Sequence, residues 1–333
     1  MRAIKENSNR LPFERRKYTS FKMKSKKKNS NKENLKAFKF LAPSLISMFI
    51  LSIIPILLTI FIAFTNYNLK TVNTGWKFVG LDNFKNIING PLKEIFMPVF
   101  GWTLVSATLI TIGSFALGLI FAKIVSNKNL KEASIYKALL IIPWALPASI
   151  IIIAFEGLLN SQYGAINECL MQLHLIKEPI MWLTEAGPAR IAVILISIWI
   201  GFPYMMNVCI GGLSAIPDTY YEAADIDGAS RMQKFFKITL PCLAKTTYPL
   251  LIGSWSMSFG NAGVALLLFK GGPVRANSPF AGYTDILASS AYSMSTKFGR
   301  FELAATLSII MFVIVGVISF IQMRASGQFK EVD

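Results

Sequence analysis

Long apolar runs separated by shorter polar segments dominate the chain. They lie at roughly 40–64, 98–122, 138–159, 189–212, 246–269 and 303–323. Each reaches the ~20 residues that an α-helix needs to cross about 30 Å of hydrocarbon at 1.5 Å per residue. The first, second, fifth and sixth contain no Asp, Glu, Lys or Arg. Glu156 falls near the end of the third, and Arg190 opens the fourth. A lipid-embedded backbone must satisfy its own hydrogen bonds, which runs of this length do as helices. The pattern predicts an all-α, polytopic membrane protein with six transmembrane helices.

The polar segments divide the chain into a basic arm (1–39), a first span with an external segment (40–97), a five-span core (98–323) and a short tail (324–333). Phe78-Val-Gly-Leu-Asp-Asn-Phe84 reads as a turn leading into a short helix. The turn-rich 160–188 segment is expected to place Trp182 at the outer membrane interface. Lys270-Gly-Gly-Pro273 cannot continue a helix. Pro43, Pro55, Pro143, Pro147, Pro203 and Pro249 lie inside the apolar runs. Each kinks or breaks its helix, which is tolerable where the freed carbonyl faces protein or a water-filled cavity. Kinked helices around a path fit a transporter; ordinary kinks between packed helices account for the same prolines.

Composition agrees with the pattern: 53% of residues are hydrophobic, too many for a soluble domain of 333 residues. The net charge of +16 is mostly topological. Residues 1–39 carry fourteen Lys and Arg, and segments 1–39, 123–137, 213–245 and 324–333 together carry twenty-four of the 34. The positive-inside rule then puts both termini in the cytoplasm of a bacterial plasma membrane. The arm is expected to rest on anionic membrane lipid, with no nucleic-acid partner. Met23 inside it is an alternative start to Met1. The first apolar run is too long for a cleaved signal and is expected to be a retained span. Cys169, Cys209 and Cys242 are scattered and read as small apolar fillers, and His174 is the only histidine, so no metal site is expected.

One polar segment, Ile216 to Pro241, stands between two apolar runs on the predicted cytoplasmic side. Pro217 and Asp218 are helix-start signals, the second able to cap free N–H groups. Glu222 sits where the helix dipole favours a carboxylate, and Ala223 and Ala224 give a narrow surface. Asp227 and Gly228 close the helix, glycine supplying a positive φ. Ser230 is expected to cap a second helix through Lys237, with Pro241 stopping it. The product is a short helix–turn–helix presenting a small-residue knob with one acid.

The pattern Glu222-Ala-Ala-x3-Gly228-x9-Ile238-x-Leu240-Pro241 resembles the EAA loop of ABC importer permeases. Ile62-Ala-Phe-Thr-Asn-Tyr67, Leu140-Ile-Ile-Pro-Trp-Ala-Leu-Pro147, Tyr163-Gly-x-Ile-Asn167, Trp199-Ile-Gly-Phe-Pro-Tyr-Met205 and Ala281-Gly-Tyr-Thr-Asp-Ile-Leu287 resemble the carbohydrate branch, closest to the maltose/maltodextrin type. The resemblance covers most of the chain after residue 40. It implies the type I importer permease fold, in a shorter form that in relatives accompanies a lipid-anchored solute-binding protein. It also implies a second permease subunit, two ATPase subunits that bind ATP–Mg, an extracytoplasmic solute-binding protein, and an oligosaccharide substrate. On this resemblance Glu222, Ala223, Ala224, Asp227 and Gly228 dock the ATPase. This chain itself would hold no cofactor and no catalytic residue.

A sugar needs short polar groups and an aromatic platform. Ser197, Ile200, Gly201 and Tyr204 share one helical face, and Ser254, Met257 and Ser258 another. The resemblance assigns these positions to a midplane sugar path, where relatives carry Asn at the places of Ser197 and Ser258. Close helix packing through small residues is the competing reading. Glu156 is expected at the outer interface, and no other acid lies deep in a span, which weighs against an ion-coupled secondary transporter. No G-x-x-x-x-G-K-[ST] loop occurs, so ATP hydrolysis must come from another chain. Maltodextrin is the expected sugar; galacto-oligosaccharide and glycerol phosphate are the alternatives.

Overall fold

A computed structural model describes residues 30–276, 278 and 280–325. The basic arm before Ser30, the start at Met1 or Met23, and the tail after Ala325 lie outside the described residues. By contacts the chain divides into residues 1–56 and 57–333. The described part of the first unit is helical: α1 (Ser30–Met48), a π turn (Phe49–Ile53) and the first residues of α2 (Ile54–Ala63).

The second unit continues α2 and adds α3 (Asp82–Ile88) and α4 (Lys93–Val125). Then come α5 (Ala133–Ala145), α6 (Ala148–Leu158), α7 (Ala165–Gln172) and α8 (Ala186–Ser214). They are followed by α9 (Asp218–Ile226), α10 (Arg231–Lys234), a second π turn (Phe235–Thr239) and α11 (Leu240–Gly260). The chain closes with α12 (Gly263–Leu267), α13 (Leu287–Thr296) and α14 (Phe301–Ala325). Among the described residues there is no strand beyond an isolated bridge between Thr65 and Phe78. The all-α fold follows from the apolar runs.

Five helical stretches are long and apolar enough to cross a membrane, and a sixth crossing requires α5 and α6 to count together. The third expected span is therefore not one helix. α5 and α6 meet at a 90° bend. Leu146, at φ −83° and ψ 147°, is extended because the Pro147 ring excludes the helical region from the residue before it.

α4 and α8 form the centre of the second unit. A β-carbon on Gly118 would stand 2.7 Å from the Met206 amide nitrogen, so glycine lets the two backbones approach. Phe202, Met205, Met206 and Val99 are fully buried. One apolar cluster joins α4, α11, α13 and α14 through Phe96, Trp255, Phe259, Leu287, Met294 and Leu307. Another joins α4, α8 and the α12 region through Trp102, Ile196, Val264 and Phe269. A third, around Leu119, Cys209 and Leu243, packs the end of the unit nearest α9.

Several local expectations change. Gly80, at φ +59°, makes the turn before α3 as read, and Asn83 then donates from Nδ2 to the Ala63 and Thr65 carbonyls at 2.9 and 2.7 Å. Trp182 is half-buried, and its indole N–H donates to Asn167 Oδ1 at 3.0 Å. The 270–300 segment is more than a loop, since it contains the largely buried α13. Cys209 is buried, but Cys169 is exposed and fills nothing.

Candidate functional site

At one end of the unit, α9 and α10 form the expected helix–turn–helix, with different chemistry at its start. Pro217 occupies the N-cap and no side chain caps α9. Asp218 instead pairs with Lys128 at 2.9 Å, tying α9 to the turn after α4. The C-terminus is a Schellman motif: the Ala229 amide donates to the Ala224 carbonyl at 2.9 Å, and the Gly228 amide to the Asp225 carbonyl at 3.1 Å. Gly228 supplies the required positive φ, +71°. Ser230 and Gln233 make a reciprocal capping box on α10.

The second helix does not end at Lys237 or Pro241. It runs through the π turn directly into α11, with Pro241 in that helix's first turn. The Leu240 amide reaches back five residues to the Phe235 carbonyl. Proline is tolerated there because the π turn shifts the backbone hydrogen-bond register immediately before it. Tyr221 and Thr239 join α9 to this rod by a 2.9 Å hydroxyl pair, and Lys234 pairs with Asp225.

Glu222, Ala223, Asp227 and Gly228 are exposed, and Ala224 is half-buried. Beside them Ile226 is 87% exposed and Met232 66%. Large apolar side chains this exposed on a polar, capped loop mark a surface suited to a partner.

The second feature is a cavity of about 340 Å³ between α4, α5, α6, α8, α11 and α12. All seven residues read from the two helical faces line it: Ser197, Ile200, Gly201 and Tyr204 from α8, and Ser254, Met257 and Ser258 from α11. The orientation of α11 is held by Trp255, whose indole donates to Thr108 Oγ1 at 3.1 Å, and by Ser256 sharing a 3.0 Å contact with Ser319 on α14.

Other lining residues escaped the sequence reading. Ile110 and Ser114 come from α4, four residues apart, a spacing that could have signalled them. Trp144 and Ala148 flank the α5–α6 bend, so the break itself opens one wall. Asn261 extends the chain after α11 and accepts from the Gly263 amide at 3.0 Å, starting α12. Ser114 Oγ is buried without a hydrogen-bond partner, and a β-carbon on Gly201 would stand 2.9 Å from it. No charged side chain lines this cavity. Its polar groups are hydroxyls and one amide, its flat surfaces Trp144 and Tyr204. Such walls can hydrogen-bond and stack a neutral polyhydroxyl ligand, and offer no counter-ion to a charged one.

At the opposite end from α9, Arg190 stacks on Trp102, 4.6 Å to the ring centroid, and donates from Nε to the Tyr283 carbonyl at 2.9 Å. Glu156 is exposed on α6 and outside the cavity. Among the described residues no group of His, Cys, Asp and Glu is placed to hold a metal.

The family described as the binding-protein-dependent transport system inner membrane component matches residues 114–329. The maltose/maltodextrin transport system permease protein MalF of Klebsiella aerogenes is 40% identical over 261 residues, 77% of this chain and 49% of that protein. MalF of Escherichia coli K12 is 38% identical over the same length, with the same coverage. The chain thus spans about half the length of the curated relatives it matches. Among solved structures, a bacterial ABC transporter involved in alginate import superposes with a TM-score of 0.71 at 20% identity, covering 89% of this chain and 96% of that one. The same kind of transporter, in complex with an alginate pentasaccharide-bound periplasmic protein, gives 0.72 over 90% and 96%. Fold, family match and coverage of the relatives converge: the chain is a multi-pass membrane protein and belongs to the binding-protein-dependent transport system inner membrane components.

Proposed function

We propose that the chain is one of two permease subunits of an ATP-driven importer that takes up oligosaccharides, maltodextrin in the first place. An extracytoplasmic solute-binding protein delivers the sugar to the α13 end. Two separate ATPase subunits bind ATP–Mg and dock at α9 in the cytoplasm, where both termini also lie. The observation that carries the reading is the uncharged cavity, lined by serines, Asn261, Tyr204 and Trp144. A neutral sugar fits these walls; glycerol phosphate would bring a charge with no cation to meet it. The absence of a phosphate loop from the sequence leaves hydrolysis to the partners. The exposed Glu222–Gly228 segment beside Ile226 is the surface proposed to receive them.

The test is uptake by proteoliposomes holding this chain, its second permease, the ATPase and the binding protein. Labelled maltodextrin is expected to accumulate with ATP inside the vesicles. Accumulation driven by a proton or sodium gradient without ATP would refute the assignment.

A further inference from the structure

A second cavity, about 160 Å³, lies at the α13 end, away from the sugar cavity. Its polar walls are cationic: Lys270, Arg275 and Lys297 line it, with Asp285 as the one acid. Both oxygens of that carboxylate are already engaged. Oδ1 accepts from Ser289 Oγ at 2.6 Å, and Oδ2 from the Gly282 amide at 2.8 Å. Two donors facing this region have no acceptor. Arg275 Nη1 is buried without a hydrogen bond, and so is Ser293 Oγ, in a residue only 4% exposed. Ser293 lies on α13, where Ser289 is fully satisfied; Ser290 Oγ on the same helix is also buried without a partner, but of these two unpaired serines only Ser293 lines the cavity.

The cavity walls are rigidly built. Gly271, at φ +89°, places its backbone where a β-carbon would stand 2.8 Å from Asp285 Oδ2. Lys297 Nζ donates to the Lys270 carbonyl at 3.0 Å, holding one cation at the rim. Arg275 lies over the Tyr283 ring at 5.0 Å, and Arg190 over the same ring at 5.5 Å. Water could satisfy a hydroxyl, but it would leave three cations facing one carboxylate. A guanidinium with a free N–H beside a buried hydroxyl is the donor set that an oxyanion takes.

We propose that this cavity binds a phosphate-type oxyanion, with Arg275 and Ser293 as direct donors and Lys270 and Lys297 as rim charges. Free phosphate and a lipid headgroup present the same chemistry, and two arms of one experiment separate them.

In the first arm, the full chain in non-ionic detergent is titrated with sodium phosphate against sodium chloride at matched ionic strength and pH, with melting temperature as the readout. In the second, nanodiscs of phosphatidylglycerol are compared with phosphatidylcholine. A saturable rise with phosphate assigns the free anion, and a rise with phosphatidylglycerol alone assigns the headgroup. Either supports the site if Arg275→Gln weakens the response about tenfold, the value of one charge-assisted hydrogen bond. Ser293→Ala guards against misfolding, because removing an unpaired buried hydroxyl leaves the anion-free melting temperature equal or higher. It is expected to weaken the response as well. No difference from the controls in either arm, or an undiminished response in Ser293→Ala, overturns the proposal.

Discussion

Gly228 offers a graded test of how the α9 loop works. Its φ of +71° closes the Schellman motif, and a β-carbon added there would meet no heavy atom within 4 Å. Gly228→Ala therefore isolates backbone strain from steric clash. The left-handed conformation costs an L-residue about 1–2 kcal/mol. A loss of ~1.4 kcal/mol lowers the closed population about tenfold where closure is marginal. Gly228→Asn should cost less, since asparagine tolerates this conformation. Gly228→Pro should cost more, roughly 3 kcal/mol or above, because it forces φ near −65° and removes the N–H that donates to the Asp225 carbonyl. The assay is affinity for the ATPase subunit in membranes, beside uptake and the amount of protein inserted. Affinity should fall in the order glycine, asparagine, alanine, proline, with insertion unchanged. Equal affinity for alanine and glycine would refute the claim that the cap sets the docking geometry.

Tyr204→Ala should reduce oligosaccharide uptake at least about tenfold by removing a flat wall of the cavity; unchanged transport of every oligosaccharide tested would sink the sugar path. Arg190→Ala loses a stacked cation and a charge-assisted hydrogen bond, so a destabilisation of about 2–3 kcal/mol is expected in thermal unfolding; an unchanged melting temperature contradicts it. Asp285 titrates high because burial disfavours its charged form, although Ser289, the Gly282 amide, Lys297 and Arg275 pull the other way. The folded state then holds the proton more tightly, so this stability is present below the ordinary carboxylate value near ~3.9 and lost as pH rises through the raised one. Asp285→Asn should flatten that part of the stability–pH profile, and parallel profiles for both proteins would exclude the assignment.

The legible parts of this molecule were those written in local periodicity. Spacings of three and four placed Ser197, Gly201 and Tyr204 on one face and Ser254 and Ser258 on another, and both faces reach the same cavity. Gly228 and Ser230 carried their cap chemistry in their own identities. What escaped depends on contacts between distant segments. Pro147 was visible as a helix breaker, but the 90° bend that brings Trp144 and Ala148 to the cavity was not. α13 is rich in serine, and its burial comes from packing against α14 and α4, which no local pattern announces. Pro241 misled for a related reason: proline reads as a stop, yet the π turn just before it carries the helix on into α11.

That intact helix has a mechanical consequence. From Arg231 to Ser254 the chain is helical without a break, and these 24 residues at 1.5 Å each span about 36 Å. One end carries the α10 cap beside the exposed Ile226 surface, and the other carries a cavity wall. The π turn sits near the first end, where Tyr221 grips Thr239. A tilt of about 5° imposed there displaces the far end by about 3 Å over that length. A rotation applied at the loop would therefore reach this cavity wall along one continuous helix, with no relay of side chains between the two.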